Sequence, residues 1–165
     1  MPADNEIWYT STDENIVSAF IEAEKGESPR NVVINNVYEN GKGIITFQYP
    51  VTSLYGSVQN GTLFEDWHPE NSARLTTITL PRTAKVLCQF DLSSYMTNLQ
   101  YVEVQETFER LQATVNSFPT NTTFDIKYNG TKSQWDNVSL ECYWDLYRSI
   151  TVHCTDGDVI IPATE

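Results

Sequence analysis

The sequence predicts a mostly β protein in which short parallel strands stack on one another as a solenoid. Two segments, "LTTITLP" at 75–81 and "LQYVEVQ" at 99–105, begin with leucine and carry aliphatic residues three and five positions later. The pattern recurs 24 residues further on in "TFDIKYN", and "SITVHCT" follows after another 26 residues. Sandwiches and barrels usually return a strand every 8 to 12 residues or so, whereas this spacing leaves room for a full circuit that brings each strand back parallel to its predecessor.

A fifth strand is expected in "GIITFQ", 33 residues before "LTTITLP". Each aliphatic side chain buried in such a stack contributes about 1.5 to 3 kcal/mol. Pro81 and Asn129-Gly130 end two of the strands, because proline lacks an N–H and the other two residues tolerate positive φ. The predicted buried columns are Ile45, Ile78, Val102, Ile126 and Val152, and beside them Phe47, Leu80, Val104, Tyr128 and Cys154.

The chain is predicted to form a single domain, 1–165, long enough to bury roughly 70% of its unfolded surface. Its predicted parts are an N-terminal β cap at 1–43, about five repeat turns at 44–154 and a closing segment at 155–165.

The predicted N-terminal cap contains strands and a helix. Ile7 and Tyr9 alternate as in a strand, and "NVVINNVYENGKG" at 31–43 is typical of a hairpin. Between them, "DENIVSAFIEAEKGE" is interpreted as a short helix with Ile16, Phe20 and Ala23 on one side.

The charge balance argues against a nucleic-acid partner. The chain has 22 acidic and 10 basic residues and a formal charge of −12, whereas binding to phosphate backbones depends on cationic side chains. No run of about 18 apolar residues occurs, so membrane insertion is not expected. The first ten residues also lack the layout of a secretion signal.

Cysteine and histidine usage predicts neither a metal nor a cofactor. Cys88, Cys142 and Cys154 are an odd number, so at least one is a free thiol in a monomer. A bridge between Cys142 and Cys154 and a set of small buried thiols both remain open. His153 adjoins Cys154, but neighbours on a strand point to opposite faces and would not share a metal.

Several segments resemble one bacterial family. "LTTITLP", the lead-in "YENGKGIITF" and above all "YNGTKSQWDNV" with "VHCTDGDVI" are similar to the BspA-like leucine-rich repeat proteins, over about residues 5 to 160. The second unit, "VLCQFDLSSYMTN", departs from the usual Ala-Phe and Cys pattern, which indicates a short divergent member. The resemblance implies a leucine-rich-repeat-like right-handed solenoid, mostly β, with irregular or short helical returns between the strands.

The resemblance also implies a function. Better understood members of the family are surface proteins implicated in adhesion to host or bacterial partners, so a non-catalytic protein-interaction or adhesion module at the cell surface, or secreted, is expected. No active site carries over. The sequence itself contains neither a G-x-S-x-G elbow nor a phosphate-binding glycine loop.

The predicted binding site is the open face of the strand stack. Residues between the inward-pointing ones line that face, which in repeat proteins often holds the partner. An ordinary solvated sheet is the alternative. The predicted contact residues are Thr46, Thr77, Thr79, Tyr101, Glu103, Asp125, Lys127, Thr151 and His153.

A second candidate site lies in the insertion at 61–74. "LFEDWHPEN" sets Phe64, Trp67 and His68 among carboxylates, and an aromatic beside acids can hold a sugar ring. Trp67 and His68 are the candidate glycan contacts of a carbohydrate-binding or glycan-cleaving protein. Alternatively, Phe64 and Trp67 pack beneath the loop and fix it to the core.

Overall fold

The computed structural model describes residues 1–19, 33–54, 64, 69–88, 96–114, 124–143 and 149–162. Within them the secondary structure is almost entirely β. The strands are β1 (Glu6–Ser11), β2 (Val33–Glu39), β3 (Lys42–Phe47), β4 (Ser53–Leu54), β5 (Leu75–Thr79), β6 (Val86–Cys88), β7 (Tyr101–Val104), β8 (Arg110–Thr114), β9 (Asp125–Tyr128), β10 (Ser139–Tyr143), β11 (Ile150–Cys154) and β12 (Gly157–Ile161). Two single-turn helices are α1 (Pro69–Ser72) and α2 (Lys132–Trp135).

The strands form two sheets. The larger has eight strands in the order β12-β11-β9-β7-β5-β1-β3-β2, and the smaller has four in the order β10-β8-β6-β4. All pairs in the small sheet are parallel, as are the pairs joining β5, β7, β9 and β11 in the large one. From β4 to β11 the chain therefore alternates between the sheets, which is the crossover that parallel neighbours require.

The core lies between the two sheets. In the large sheet, Ile78, Val102, Ile126 and Val152 stand in register on adjacent strands, and all four are buried. In the small sheet, Leu87 and Leu111 are likewise in register and buried. Because each strand has only two to seven residues, burial of these columns rather than the length of any one strand supplies the stabilisation.

The predicted fold class is wrong in two respects. First, the large sheet is mixed rather than wholly parallel, because β1 lies between β3 and β5 and pairs with both in the antiparallel sense. The predicted first turn of the stack is therefore not a member of it: Ile45 pairs with Ile7, and Tyr9 takes the place beside Ile78. Second, the described parts of the returns contain strands of a second sheet, which the sequence did not predict, and the return from β9 to β10 also contains the single-turn helix α2.

A tight turn explains the antiparallel part of the sheet. Asn40 and Gly41 have positive φ values of 52° and 78°, as a two-residue hairpin loop requires. Such a loop can join only antiparallel strands, so β2 and β3 cannot follow the parallel repeat. These strands and β1 belong to the large sheet and continue it beyond β5, at the end of its parallel part.

Other local predictions have different outcomes. Residues 16–19 are not helical and Ile16 is exposed, whereas the remainder of the predicted helix, including Phe20 and Ala23, lies outside the described residues. The closing strand is confirmed as β12. Cys154 is a free thiol, so the bridge to Cys142 does not form. The two described helices have four residues each and are far too short to cross a bilayer.

Candidate binding face

One side of the eight-stranded sheet packs on the core and the other, which we call the open face, points away from it. Strand alternation assigns each residue to a side: in β7 and β9 the buried positions alternate with half-exposed ones. The open face consists of Glu6, Trp8, Thr10, Val37, Glu39, Lys42, Ile44, Thr46, Thr77, Thr79, Tyr101, Glu103, Asp125, Lys127, Thr151, His153, Asp158 and Ile160.

All nine residues of the predicted binding site lie on the open face. Eight of them are brought together on the adjacent parallel strands β5, β7, β9 and β11. Thr46 is set apart on β3, because β1 separates that strand from β5.

The register aligns the open face into rows. In one row Thr79, Glu103, Lys127 and His153 are successive cross-strand neighbours, with Trp8 at one end and Asp158 at the other. In the next row, Thr77, Tyr101 and Asp125 are neighbours. Polar groups of both signs therefore surround two aromatic rings.

The rings of Trp8 and Tyr101 are each covered by a lysine. The ammonium of Lys42 lies 3.3 Å from the centre of the Trp8 ring, and that of Lys127 lies 3.4 Å from the centre of the Tyr101 ring. A cation over an aromatic face is attracted by the ring quadrupole. Both rings are half-exposed, so they remain accessible at the surface of the sheet.

Carboxylates on the open face accept hydrogen bonds from neutral groups. Trp8 Nε1 donates to Glu6 Oε2 at 3.0 Å, and Asn129 Nδ2 donates to Glu103 Oε1 at 2.8 Å. Asn129 Nδ2 also donates to the buried Gln105 at 2.9 Å, whose own amide donates to Leu80 O at 3.0 Å. This amide chain fixes the position of Glu103 at the end of β7.

His153 lies between two carboxylates at one end of the face. Its Nδ1 is 3.0 Å from Asp158 Oδ1 on β12, and its Nε2 is 3.5 Å from Asp125 Oδ2 on β9. Cys154 points to the other side of β11. Burial, together with the nearby Asp156 carboxylate, raises the pKa of its thiol, so the neutral thiol rather than the nucleophilic thiolate is favoured at neutral pH.

Within the described ranges no set of three His, Cys, Asp or Glu side chains is arranged to hold a metal ion. The arrangement on the open face is therefore one of aromatic rings, cations and carboxylates on a broad surface.

In the insertion at 61–74, the position of Phe64 agrees with packing against the core rather than with a sugar site. This residue is buried, its ring packs edge-on against Tyr9 at 5.6 Å, and its carbonyl accepts a hydrogen bond from Ser72 Oγ. Phe64 therefore fixes the segment to the core rather than contacting a ligand. Trp67 and His68 lie outside the described residues.

Sequence reasoning missed several members of the open face. Trp8, Glu6 and Lys42 were assigned to a cap, and Asp158 to a closing segment. The alternation in "EIWYTS" could have shown that Glu6 and Trp8 point away from the core, but not that β1 joins the sheet beside β5. Only a long-range pairing determines that neighbour.

Comparison with known proteins adds no relative: no family model, no curated protein and no solved structure matches this chain. The likeness to BspA-like repeats therefore remains a prediction that depends on the quoted motifs alone.

Proposed function

We propose that the protein is a non-catalytic protein-interaction or adhesion module that binds a protein partner through its open face, at the cell surface or after secretion. The observation that carries this proposal is the continuity of the face across the eight strands, with two half-exposed aromatic rings inside a polar surround. Tyrosine and tryptophan are enriched at the energetic centres of protein interfaces, where polar groups form the rim.

Trp8 and Tyr101 are the proposed anchors. Each is an amphipathic side chain held on a strand rather than on a loop, so little conformational entropy is lost when a partner covers it. The neighbouring threonines, Thr77 and Thr79, are short, so a partner reaches the rings by displacing Lys42 and Lys127.

A photo-crosslinking amino acid at Thr79 tests this proposal. Thr79 lies beside Trp8 and Glu103 at the centre of the face, so exposure to light in the cells that make the protein should give discrete protein adducts. The matched control is Val86 on β6, whose side chain points away from the core on the small sheet because its neighbour Leu87 is buried. Adducts of equal yield at both positions would contradict the proposal.

A glycan array separates the carbohydrate alternative. Retention of a glycan by the wild-type chain, and its loss in Trp67→Ala, would favour a sugar site in the 61–74 insertion over a protein partner on the open face. No retention is the result that we expect.

A further inference from the structure

The two lysines of the open face share an arrangement that points to the chemistry of the partner. Lys127 stands directly opposite Glu103 across β7 and β9, and Lys42 directly opposite Glu39 across β2 and β3. Opposite charges in such cross-strand positions normally attract each other. Yet each ammonium lies on a diagonal aromatic ring, and within the described part of the chain neither lysine forms an ion pair.

Each ring can therefore exchange one cation for another. The contact between a lysine and an exposed ring is weak, since it changes the equilibrium constant for the contact by only about twofold to fivefold. If a cation of the partner displaces a lysine from its ring, Lys127 can form an ion pair with Glu103, its cross-strand neighbour, and Lys42 can form one with Glu39. The displaced lysine thus exchanges an aromatic contact for a carboxylate contact.

The charge of the surroundings favours a cationic partner. Glu6 and Glu103 accept hydrogen bonds from an indole N–H and an amide N–H, and within the described residues neither carboxylate forms an ion pair. The whole chain carries −12, which attracts cations over a distance of about a Debye length. Arginine fits better than lysine, since its planar guanidinium stacks on a ring while its N–H groups bind carboxylates.

We propose that the open face takes a basic protein segment, with one arginine on Trp8 and another on Tyr101. This inference rests on the proposed function and specifies the chemistry of its partner. Trp8 on β1 and Tyr101 on β7 lie two strand spacings apart, with β5 between them, and are offset by two residues along the strands, which corresponds to about 12 Å. In an extended peptide, side chains four residues apart point the same way and are about 13 Å apart.

Two synthetic peptides of equal composition test the spacing. The first is a seven-residue glycine and threonine peptide with arginines at its second and sixth positions, and the second has the two arginines adjacent. Titration of the full chain, followed by the NMR signals of the Trp8 indole N–H and the Tyr101 amide, should show that the spaced peptide binds about twofold to fivefold more tightly, because it gains one more ring contact. Equal affinities would overturn the proposal.

Two matched lysine variants test the exchange. Lys127→Ala uncovers Tyr101, whereas Lys85→Ala removes the same charge beside the small sheet, where Lys85 pairs with Glu109. Lys127→Ala should tighten binding of the spaced peptide by about twofold to fivefold, and Lys85→Ala should leave it nearly unchanged. Equal effects would indicate general charge attraction and overturn the proposal.

Removal of a ring is the reciprocal test. Tyr101→Leu should weaken binding of the spaced peptide by about twofold to fivefold, and should weaken binding of the peptide with adjacent arginines by less, since that peptide can still place one arginine on Trp8. Absence of peptide binding together with protein adducts at Thr79 would overturn the basic partner while leaving the protein-binding face intact. If the photo-crosslinker at Thr79 gives no protein adducts, the proposed function itself would be overturned.

Discussion

Position 43 has room only for glycine, because the ring of Tyr9 lies across it. Tyr9 and Gly43 are cross-strand partners, and a β-carbon at position 43 would lie 2.0 Å from the ring. The ring cannot move aside, since the Tyr9 hydroxyl donates to Asn36 Oδ1 at 2.9 Å and accepts from Val17 N at 3.0 Å. The glycine thus positions β3 against β1.

Gly43→Ala should accordingly lower the free energy of unfolding by about 1 to 3 kcal/mol or more, as overpacking of a buried site does. Urea denaturation measures the loss. The adjacent Lys42→Ala, which changes a side chain on the open face, should cost less than about 1 kcal/mol. Equal losses in the two variants would show that the Tyr9 ring is not fixed over Gly43.

Neighbouring residues of β9 differ in their expected tolerance of substitution. Ile126 is buried between Val102 and Val152, whereas Lys127 lies on the open face. Ile126→Asp should therefore cost several kcal/mol, because a carboxyl group would be buried without a partner. Lys127→Asn should change the melting temperature little. Thermal unfolding of both variants measures the difference, and similar losses would mean that the assignment of faces in β9 is wrong.

At the scale of single elements, β12 lies at one edge of the large sheet, and among the described strands it pairs only with β11. A two-residue turn joins Cys154 to Gly157, so their backbone groups form the first hydrogen-bonded pair of the hairpin. Hydrogen-bonded and non-hydrogen-bonded pairs alternate along the hairpin from there. The N–H of Val159 therefore points toward β11, and the N–H of Ile160 points away from the sheet.

Proline substitutions should distinguish these two positions. Val159→Pro removes a ladder hydrogen bond and should cost about 1 to 3 kcal/mol, whereas Ile160→Pro removes an outward N–H and should cost much less. The free energy of unfolding from urea titration measures both. A larger loss in Ile160→Pro would indicate the opposite hydrogen-bonding phase in this hairpin.

A second element-scale contact joins the end of β1 to the start of β5. Arg74 Nη1 lies 2.7 Å from Asp13 Oδ2, and Thr12 N donates to Arg74 O at 2.9 Å. Desolvation raises the pKa of the Asp13 carboxyl, but the hydrogen bond and charge of Arg74, with the N–H of Asn15, outweigh it and hold the pKa below its ordinary value. The ionised carboxylate is thus favoured in the folded state.

The pH dependence of this contact follows from that direction. Because the folded pKa lies below the unfolded one, the stabilisation is present above the unfolded pKa and is lost as the pH falls through the folded pKa. Asp13→Asn should therefore be less stable than the wild type at about pH 7, and the difference should vanish by about pH 2. A difference in unfolding free energy that persists in acid would contradict an electrostatic origin.

At the scale of the whole molecule, the parallel part of the large sheet was predictable and the rest was not. The 24-residue spacing of Ile78, Val102 and Ile126 predicts their register, since parallel pairing needs long, regular crossovers. The fold class failed because that period carries no information about β1. Its insertion beside β5 is a pairing between residues about 70 positions apart, such as Trp8 and Thr79.

The candidate site, too, was predictable on the parallel strands and not on the antiparallel ones. Alternation within each strand predicts which side chains leave the core, so the residues on β5, β7, β9 and β11 could be named from the sequence. The aromatic and cationic groups of β1 and β3 could not, because their neighbours are determined by the fold. Trp8 and Lys42 illustrate this: they lie on different strands and meet only through the antiparallel pairing of β1 with β3.

The central claim is that parallel pairing of β5, β7, β9 and β11 assembles one continuous open face. NMR contacts between strands in the isotopically labelled chain test it most directly. We predict methyl contacts from Val102 to Ile126 and from Ile126 to Val152, without the close contacts between facing α-protons that mark antiparallel pairs. Close α-proton contacts between β7 and β9, or no methyl contact from Val102 to Ile126, would contradict the claim.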